Sequence, residues 1–169
     1  MSKNASSRII FFLLIVLSVP ACAAWRNPGD GINRVKNNAE EERLREDIVY
    51  YAEKFLGSRY KYAGRSPKTG FDCSGFTHFV MNNFEIKLSP SSREQATQGR
   101  SIDLKTALPG DLIFFRRKGR INHVAMIVET DGKNIKIIHS TSRGVVVDEL
   151  MKSKYWKPKI AHVRNVISS

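Results

Sequence analysis

Between residues 39 and 55, Leu44, Ile48, Tyr51, Ala52 and Phe55 recur at helical spacing. Glu40, Glu41 and Glu42 crowd the start of that stretch, and Gly57 follows it. The pattern predicts an amphipathic helix over 39–55. A second stripe of Cys73, Phe76, Phe79, Val80 and Phe84 predicts a core-facing helix that begins at the cysteine. Between the two, Tyr60 and Tyr62 alternate with Arg59 and Lys61, which predicts an extended segment with both rings on one side. The polar stretch 88–100 contains Ser91 and Ser92, either of which can cap a short helix with Glu94 or Gln95 reaching back.

From Leu108 the period changes to that of strands. Pro109-Gly110-Asp111 predicts a turn, Leu112-Ile113-Phe114-Phe115 a buried strand, and residues 116–120 a basic loop containing Gly119. Apolar runs over 122–129 and 134–140 flank Thr130-Asp131-Gly132, a hairpin signal, and 144–148 and 160–164 add further strands. Helices first and strands afterwards define an α+β domain, with N-terminal helices packed on a C-terminal antiparallel sheet. A three-residue hairpin loop closing on Gly132 pairs residues whose numbers sum to 262, so His123 falls opposite His139 and both leave the same face.

The N-terminus has a different character. Lys3 and Arg8 precede an unbroken apolar run over 9–17, followed by small residues through Ala24, the three parts of a secretory signal peptide. The run is too short to span a bilayer. Ala21-Cys22-Ala23 suits ordinary cleavage, whereas Val19-Pro20-Ala21-Cys22 resembles a bacterial lipoprotein box with Cys22 as the acylated residue. The lipoprotein reading is preferred, with membrane attachment through Cys22. The partition is a signal peptide at 1–22, a Gly-, Pro- and Asn-containing tether at 23–38, and one domain at 39–169.

Charge adds a constraint on partners. With 28 Lys and Arg against 16 Asp and Glu, the 169-residue chain carries +12, and removing residues 1–22, which hold Lys3, Arg8 and no acid, leaves +10. An acidic partner is implied, whether nucleic acid, anionic lipid or an anionic wall polymer. Export and the lack of any nucleic-acid motif exclude nucleic acid and favour the wall or membrane.

Beyond the leader, Cys73 is the sole cysteine, so no disulfide forms within the domain. At a helix N-terminus, free N–H groups and the macrodipole favour the thiolate and make the sulfur a nucleophile. A thiol nucleophile also needs an imidazole to accept its proton and a third group to orient that ring, which Cys73, His123 and His139 supply. His78 lies about 140° round the helix from Cys73 and cannot share its face, and His162 has no evident partner. The same three residues could instead hold zinc, although no fourth ligand is evident.

These residues also carry a family likeness. Asp72-Cys73-Ser74-Gly75-Phe76, Tyr60-x-Tyr62-Ala63-Gly64, Pro109-Gly110-Asp111-Leu112 and Asn122-His123-Val124-Ala125-Met126, in that order, resemble the NlpC family of bacterial cell-wall peptidases, a branch of the papain-like cysteine hydrolases. The likeness covers about residues 45–165. It implies a papain-like α+β fold and a peptidoglycan endopeptidase that cuts stem or cross-link peptides without a cofactor or metal. Cys73 would be nucleophile, His123 general base and His139 the residue holding the His123 ring. Tyr60 and the Cys73 N–H would serve the oxyanion, while Asp72 and Ser74 would support the helix start and contact the peptide. The chain would act as a monomer in the periplasm or cell envelope. Ala63-Gly64 replaces a common Gly-Gly, the loop to Cys73 is about a residue longer, and Pro90 replaces a common arginine; these departures touch the cleft and leave the cleaved bond open. Two alternatives on the same fold are a wall-binding module without turnover and a cysteine acyltransferase.

Overall fold

A computed structural model describes residues 28–168. The leader and Cys22 lie outside the described residues. Helix α1 spans Pro28–Glu53, α2 Cys73–Asn82 and α3 Ser92–Gln95. Strands are β1 Arg65–Ser66, β2 Gly70–Phe71, β3 Arg100–Ile102, β4 Leu112–Arg117, β5 Arg120–Thr130, β6 Ile135–Thr141, β7 Gly144–Glu149 and β8 Ile160–Asn165. Short 3-10 turns occupy Leu104–Thr106, Leu150–Lys152 and Lys157–Lys159. Strands β3 to β8 form one antiparallel sheet in the order β3-β8-β4-β5-β6-β7, and β1 and β2 form a separate two-stranded ribbon. The expected α+β arrangement of helices on an antiparallel sheet is the one observed.

The sheet is covered on both faces, which is why its central strands read as continuous apolar runs. Leu112, Phe114, Val124, Met126 and Ile138 join Ile48, Ala52, Phe76, Val80 and Met81 on the helix face. Ile113, Phe115, Ala125, Ile127 and Ile137 join Leu150, Val163 and the partly buried Trp156 on the opposite face. An aromatic cluster fastens α1 to α2: Tyr51 of α1 stacks on Phe79 of α2 at 6.1 Å, and Phe55, just past α1, meets Phe79 edge-on at 5.0 Å. Across the base of α1, buried Arg45 donates through Nη1 to Asp111 Oδ1 (2.9 Å) and to the Pro109 carbonyl (2.8 Å), tying the helix to the turn before β4.

Several local expectations are corrected. Helix α1 starts at Pro28 and runs through most of the segment read as a tether. Gly and Asn disfavour a helix by only up to about 1 kcal/mol each relative to Ala, so the residues read as loop signals do not stop it. The Tyr60 segment is no alternating strand. Gly64 N–H closes a turn onto the Lys61 carbonyl (2.9 Å), Ala63 takes φ +54°, and both tyrosines are exposed. Ser91 stands at the start of α3 but makes no side-chain cap; Glu94 instead takes the Ser89 hydroxyl. The basic loop is a two-residue hairpin turn in which Lys118 (φ +50°) and Gly119 (φ +76°) join β4 directly to β5.

The β5–β6 register also differs. The loop is longer than three residues, with the Asp131 carboxylate accepting from the Lys133 and Asn134 N–H groups. Beside it, Thr130 pairs with Ile135 and Glu129 with Lys136. Beyond an irregularity at Val128, Ile127 pairs with Ile137 and Met126 with Ile138. His123 and His139 are therefore offset along the ladder rather than directly opposite, yet they still leave the same face.

Candidate active site

Asp72 builds the start of α2. Its extended backbone (φ −88°, ψ 179°) precedes the first helical residue, and its Oδ1 accepts from the Gly75 N–H at 2.6 Å and from the Ser74 hydroxyl at 3.1 Å. Cys73 is the first residue of the helix and is partly buried. The expected thiolate preference is not what the surroundings produce. Burial pushes the Cys73 thiol up, and the neighbouring Asp72 carboxylate adds to it. N–H groups of Val124, Ser74 and Cys73 pull the other way without prevailing. An N-cap carboxylate offsets the dipole that a free helix end would have offered the sulfur.

On the other side of the cleft, His123 near the start of β5 and His139 near the end of β6 meet at the same end of the sheet. His123 Nε2 lies 3.0 Å from His139 Nδ1. His139 Nε2 lies 3.0 Å from Asp148 Oδ2 on β7. Arg143 Nη2 donates to both Asp148 oxygens (2.9 and 2.6 Å), and the Trp156 indole N–H reaches Oδ2 at 3.2 Å. Trp156 also stacks on His123, with centroids 4.4 Å apart and planes 22° from parallel.

The titration of these groups follows from that packing. Burial, reinforced by His139, lowers His123 to about 3. Burial also lowers His139, against the opposing pull of Asp148. Burial tends to raise Asp148, but hydrogen bonds from Arg143 and His139 outweigh it and hold the carboxyl below its ordinary value. Both rings are consequently neutral, and Asp148 is ionised, at neutral pH.

A cleft of about 920 Å³ joins the two sides; Cys73, His123, Tyr60, Asp148 and Trp156 line it, with Arg117, Arg143, Lys152 and Lys159 at its rim. A second arm reaches from Cys73 over Asp72, Ser74, Tyr62 and Pro90. The structure thus brings Cys73, His123, His139, Tyr60, Asp72 and Ser74 together around one end of the sheet. His78 Nδ1 contacts the Leu88 carbonyl (2.7 Å) and His162 Nε2 the Ala96 carbonyl (3.1 Å), both outside this cleft. His139 spends both ring nitrogens on His123 and Asp148. Among the described residues no group of three His, Cys, Asp or Glu side chains is placed to hold a metal ion.

Asp148, Arg143 and Trp156 were not singled out from the sequence. For Asp148 the signal lies in the β6–β7 register: Ile137 pairs with Asp148 and His139 with Val146, so Asp148 is the diagonal same-face neighbour of His139. Trp156 sits between two 3-10 turns and follows no period.

Comparison with known proteins gives this geometry a context. The NlpC/P60 family matches residues 57–165. The chain is 34% identical over 137 residues to the Escherichia coli murein DD-endopeptidase MepS/murein LD-carboxypeptidase, covering 80% of this chain and 68% of that protein. It is 35% identical over 133 residues to a Bacillus subtilis gamma-DL-glutamyl hydrolase, covering 76% of this chain but only 31% of that longer protein. The crystal structure of a Bacillus cereus NlpC/P60 protein superposes with a TM-score of 0.67 at 34% identity, over 73% of this chain and 40% of that one. The chain thus spans about a third of the length of its Bacillus relatives. With a match across well over half its length and a solved relative of the same fold, this chain belongs to the NlpC/P60 family.

Proposed function

We propose that the chain is a cysteine peptidase that hydrolyses peptide bonds in the stem or cross-link peptides of peptidoglycan, with Cys73 as nucleophile, His123 as general base and His139 as its orienting partner. The observation that carries this reading is the pairing of His123 Nε2 with His139 Nδ1. It leaves Nδ1 as the ring nitrogen of His123 free to face Cys73 in the cleft they share. Relatives named as a murein endopeptidase and a gamma-D-glutamyl-L-lysine dipeptidyl-peptidase supply the substrate class.

In this scheme the Cys73 proton passes to His123 Nδ1 as sulfur attacks the scissile carbonyl carbon. The negative oxygen that forms takes hydrogen bonds from the Cys73 N–H and the Tyr60 hydroxyl. Collapse breaks the C–N bond, and His123 returns the proton to the leaving amine. His123 then deprotonates a water that attacks the thioester, releasing the acid and restoring the thiol. Because both rings rest neutral, His123 starts as a base able to accept a proton. Arg117, Arg143, Lys152 and Lys159 around the cleft attract the carboxylates of an acidic peptide, and Asp72 and Ser74 border its second arm. Export, with Cys22 as the lipidated residue and residues 23–38 joining anchor to domain, places the activity in the cell envelope.

Mass spectrometry of peptidoglycan fragments incubated with the purified protein and with Cys73→Ala tests the proposal. New peptide products from the first and none from the second are expected, and their masses identify the bond. Equal binding of fragments by both proteins without cleavage overturns the hydrolase reading in favour of a binding module. Products carrying an added amine or alcohol in place of water redirect it to acyl transfer.

A further inference from the structure

We propose that Asp148 is a positioning residue of this site, whose carboxylate fixes the tautomers of His139 and His123 in series and holds Trp156 against the base. The inference rests on the Cys73–His123 reading above and extends it to a residue that is hydrogen-bonded to His139.

Donor and acceptor chemistry around Asp148 decides the tautomers. An ionised carboxylate only accepts. Asp148 Oδ2 has three nitrogen neighbours, Arg143 Nη2 at 2.6 Å, His139 Nε2 at 3.0 Å and Trp156 Nε1 at 3.2 Å. The guanidinium and the indole are obligate donors. His139 is the one neighbour with a choice, and only its Nε2–H form suits a carboxylate. A neutral His139 protonated at Nε2 has a lone pair at Nδ1, and that nitrogen lies 3.0 Å from His123 Nε2. His123 must then donate through Nε2–H, which leaves the lone pair at its Nδ1. That atom is where a general base for Cys73 needs it. The opposite tautomer would set the His139 Nε2 lone pair against the carboxylate and remove the acceptor from His123 Nδ1.

Arg143 makes the arrangement work with neutral rings. It reaches both Asp148 oxygens, so the carboxylate directs the His139 N–H without drawing a second proton onto the imidazoles. The Asp148 side chain is only 19% exposed against 60% for Arg143, and its partners besides Arg143 are two rings of the site, His139 and Trp156. The same Oδ2 that orients His139 also anchors the indole stacked at 4.4 Å on His123. One carboxylate therefore restrains the base from its edge, through His139, and from its face, through Trp156.

The test is nitrogen-15 NMR of the imidazoles in the full chain at neutral pH, paired with steady-state kinetics on a soluble peptidoglycan peptide. In the natural protein both His123 and His139 are expected to carry the proton on Nε2 and none on Nδ1. Asp148→Asn keeps the size of the side chain but offers His139 either an amide N–H or a carbonyl, so a tautomer mixture is expected. With it comes a fall in kcat on the order of 10- to 100-fold while KM stays within about twofold. Trp156→Phe, which keeps a ring over His123 but loses the indole N–H, should leave both tautomers unchanged. Unaltered tautomers and unaltered kcat in Asp148→Asn overturn the proposal, as does a natural protein protonated at His123 Nδ1, which decides the matter even if the variant does not fold. The two readings fail separately: a chain that shows the expected tautomers but cuts no peptide sinks the peptidase reading alone.

Discussion

Gly75→Ala adds one methyl group and is expected to damage both folding and turnover. A Cβ at Gly75 would sit 2.0 Å from the Gly64 carbonyl oxygen and 3.0 Å from its carbon. An ordinary carbon–oxygen contact is about 3.3 Å, so the first turn of α2 and the Gly64 loop must separate by about 1.3 Å. The helix has little room to retreat, because Phe76, Val80 and Met81 are fully buried against the sheet. The loop has little more, since Gly64 is hydrogen-bonded back to Lys61 and its own carbonyl accepts from the Asp72 N–H at 3.0 Å. That last bond joins the loop to the residue immediately before Cys73 and is the first to stretch. Overpacking of this kind costs roughly 1–3 kcal/mol, a fall in Tm of roughly 4–11 °C for a domain of this size. A shift of about 1 Å at a nucleophile costs about 100-fold in rate. Calorimetry and kcat on a soluble peptidoglycan peptide read the two effects. A Gly75→Ala protein with unchanged Tm and unchanged kcat would refute the claim that this contact positions the thiol.

Two further perturbations follow from buried charge. Arg45→Ala leaves the Asp111 carboxylate, 1% exposed and bonded to Arg45 at 2.9 Å, without its cation, and should lower unfolding free energy by about 3–5 kcal/mol in a denaturant titration; a loss under about 1 kcal/mol would show that the Leu108 N–H already satisfies the carboxylate. The pH dependence of thiol alkylation reports the resting pair: with Cys73 raised by burial and His123 lowered to about 3, the thiol is protonated and the imidazole neutral throughout the neutral range. The iodoacetamide rate should therefore climb about tenfold per pH unit from pH 5 into the alkaline range, and a plateau between pH 5 and 8 would instead reveal a preformed thiolate–imidazolium pair.

What was legible in the sequence was legible because it is local. The stripe from Cys73 to Val80 and the apolar run at Leu112 each carry their own signal within a turn or two of chain, and each becomes the expected element. The tyrosine segment misleads for the same reason. Its period-two alternation is real, but its conformation is set from outside, by Phe71, which accepts the Lys61 N–H, and by the turn closed at Gly64. The Cys73 thiol is a parallel case. The macrodipole follows from the helix alone, whereas the burial that outweighs it comes from the fold around the helix. Asp148 could not be found without knowing that β6 and β7 pair across the two-residue turn Ser142-Arg143, which sets His139 opposite Val146, and Trp156, between two 3-10 turns, follows no period that would mark it.

The histidine pair shows how a wrong register can still give the right face. Next to the β5–β6 turn the paired residue numbers, as in Thr130 with Ile135, sum to 265. Carried unbroken to the open end, that register differs from the expected 262 by an odd number. It would point the His123 and His139 side chains to opposite faces of the sheet. At Val128 the ladder loses a step, and Ile127 pairs with Ile137, a sum of 264. The difference is now even, and the two imidazoles return to a common face within 3.0 Å of each other. A bulge places one unpaired residue in the strand and so changes the parity of everything beyond it. The expected three-residue loop reached the same parity with neither the longer turn nor the bulge, because two odd departures cancel. In this fold Val128 therefore does more than relieve a strand: the irregularity beside it decides whether the sheet presents a histidine pair at all.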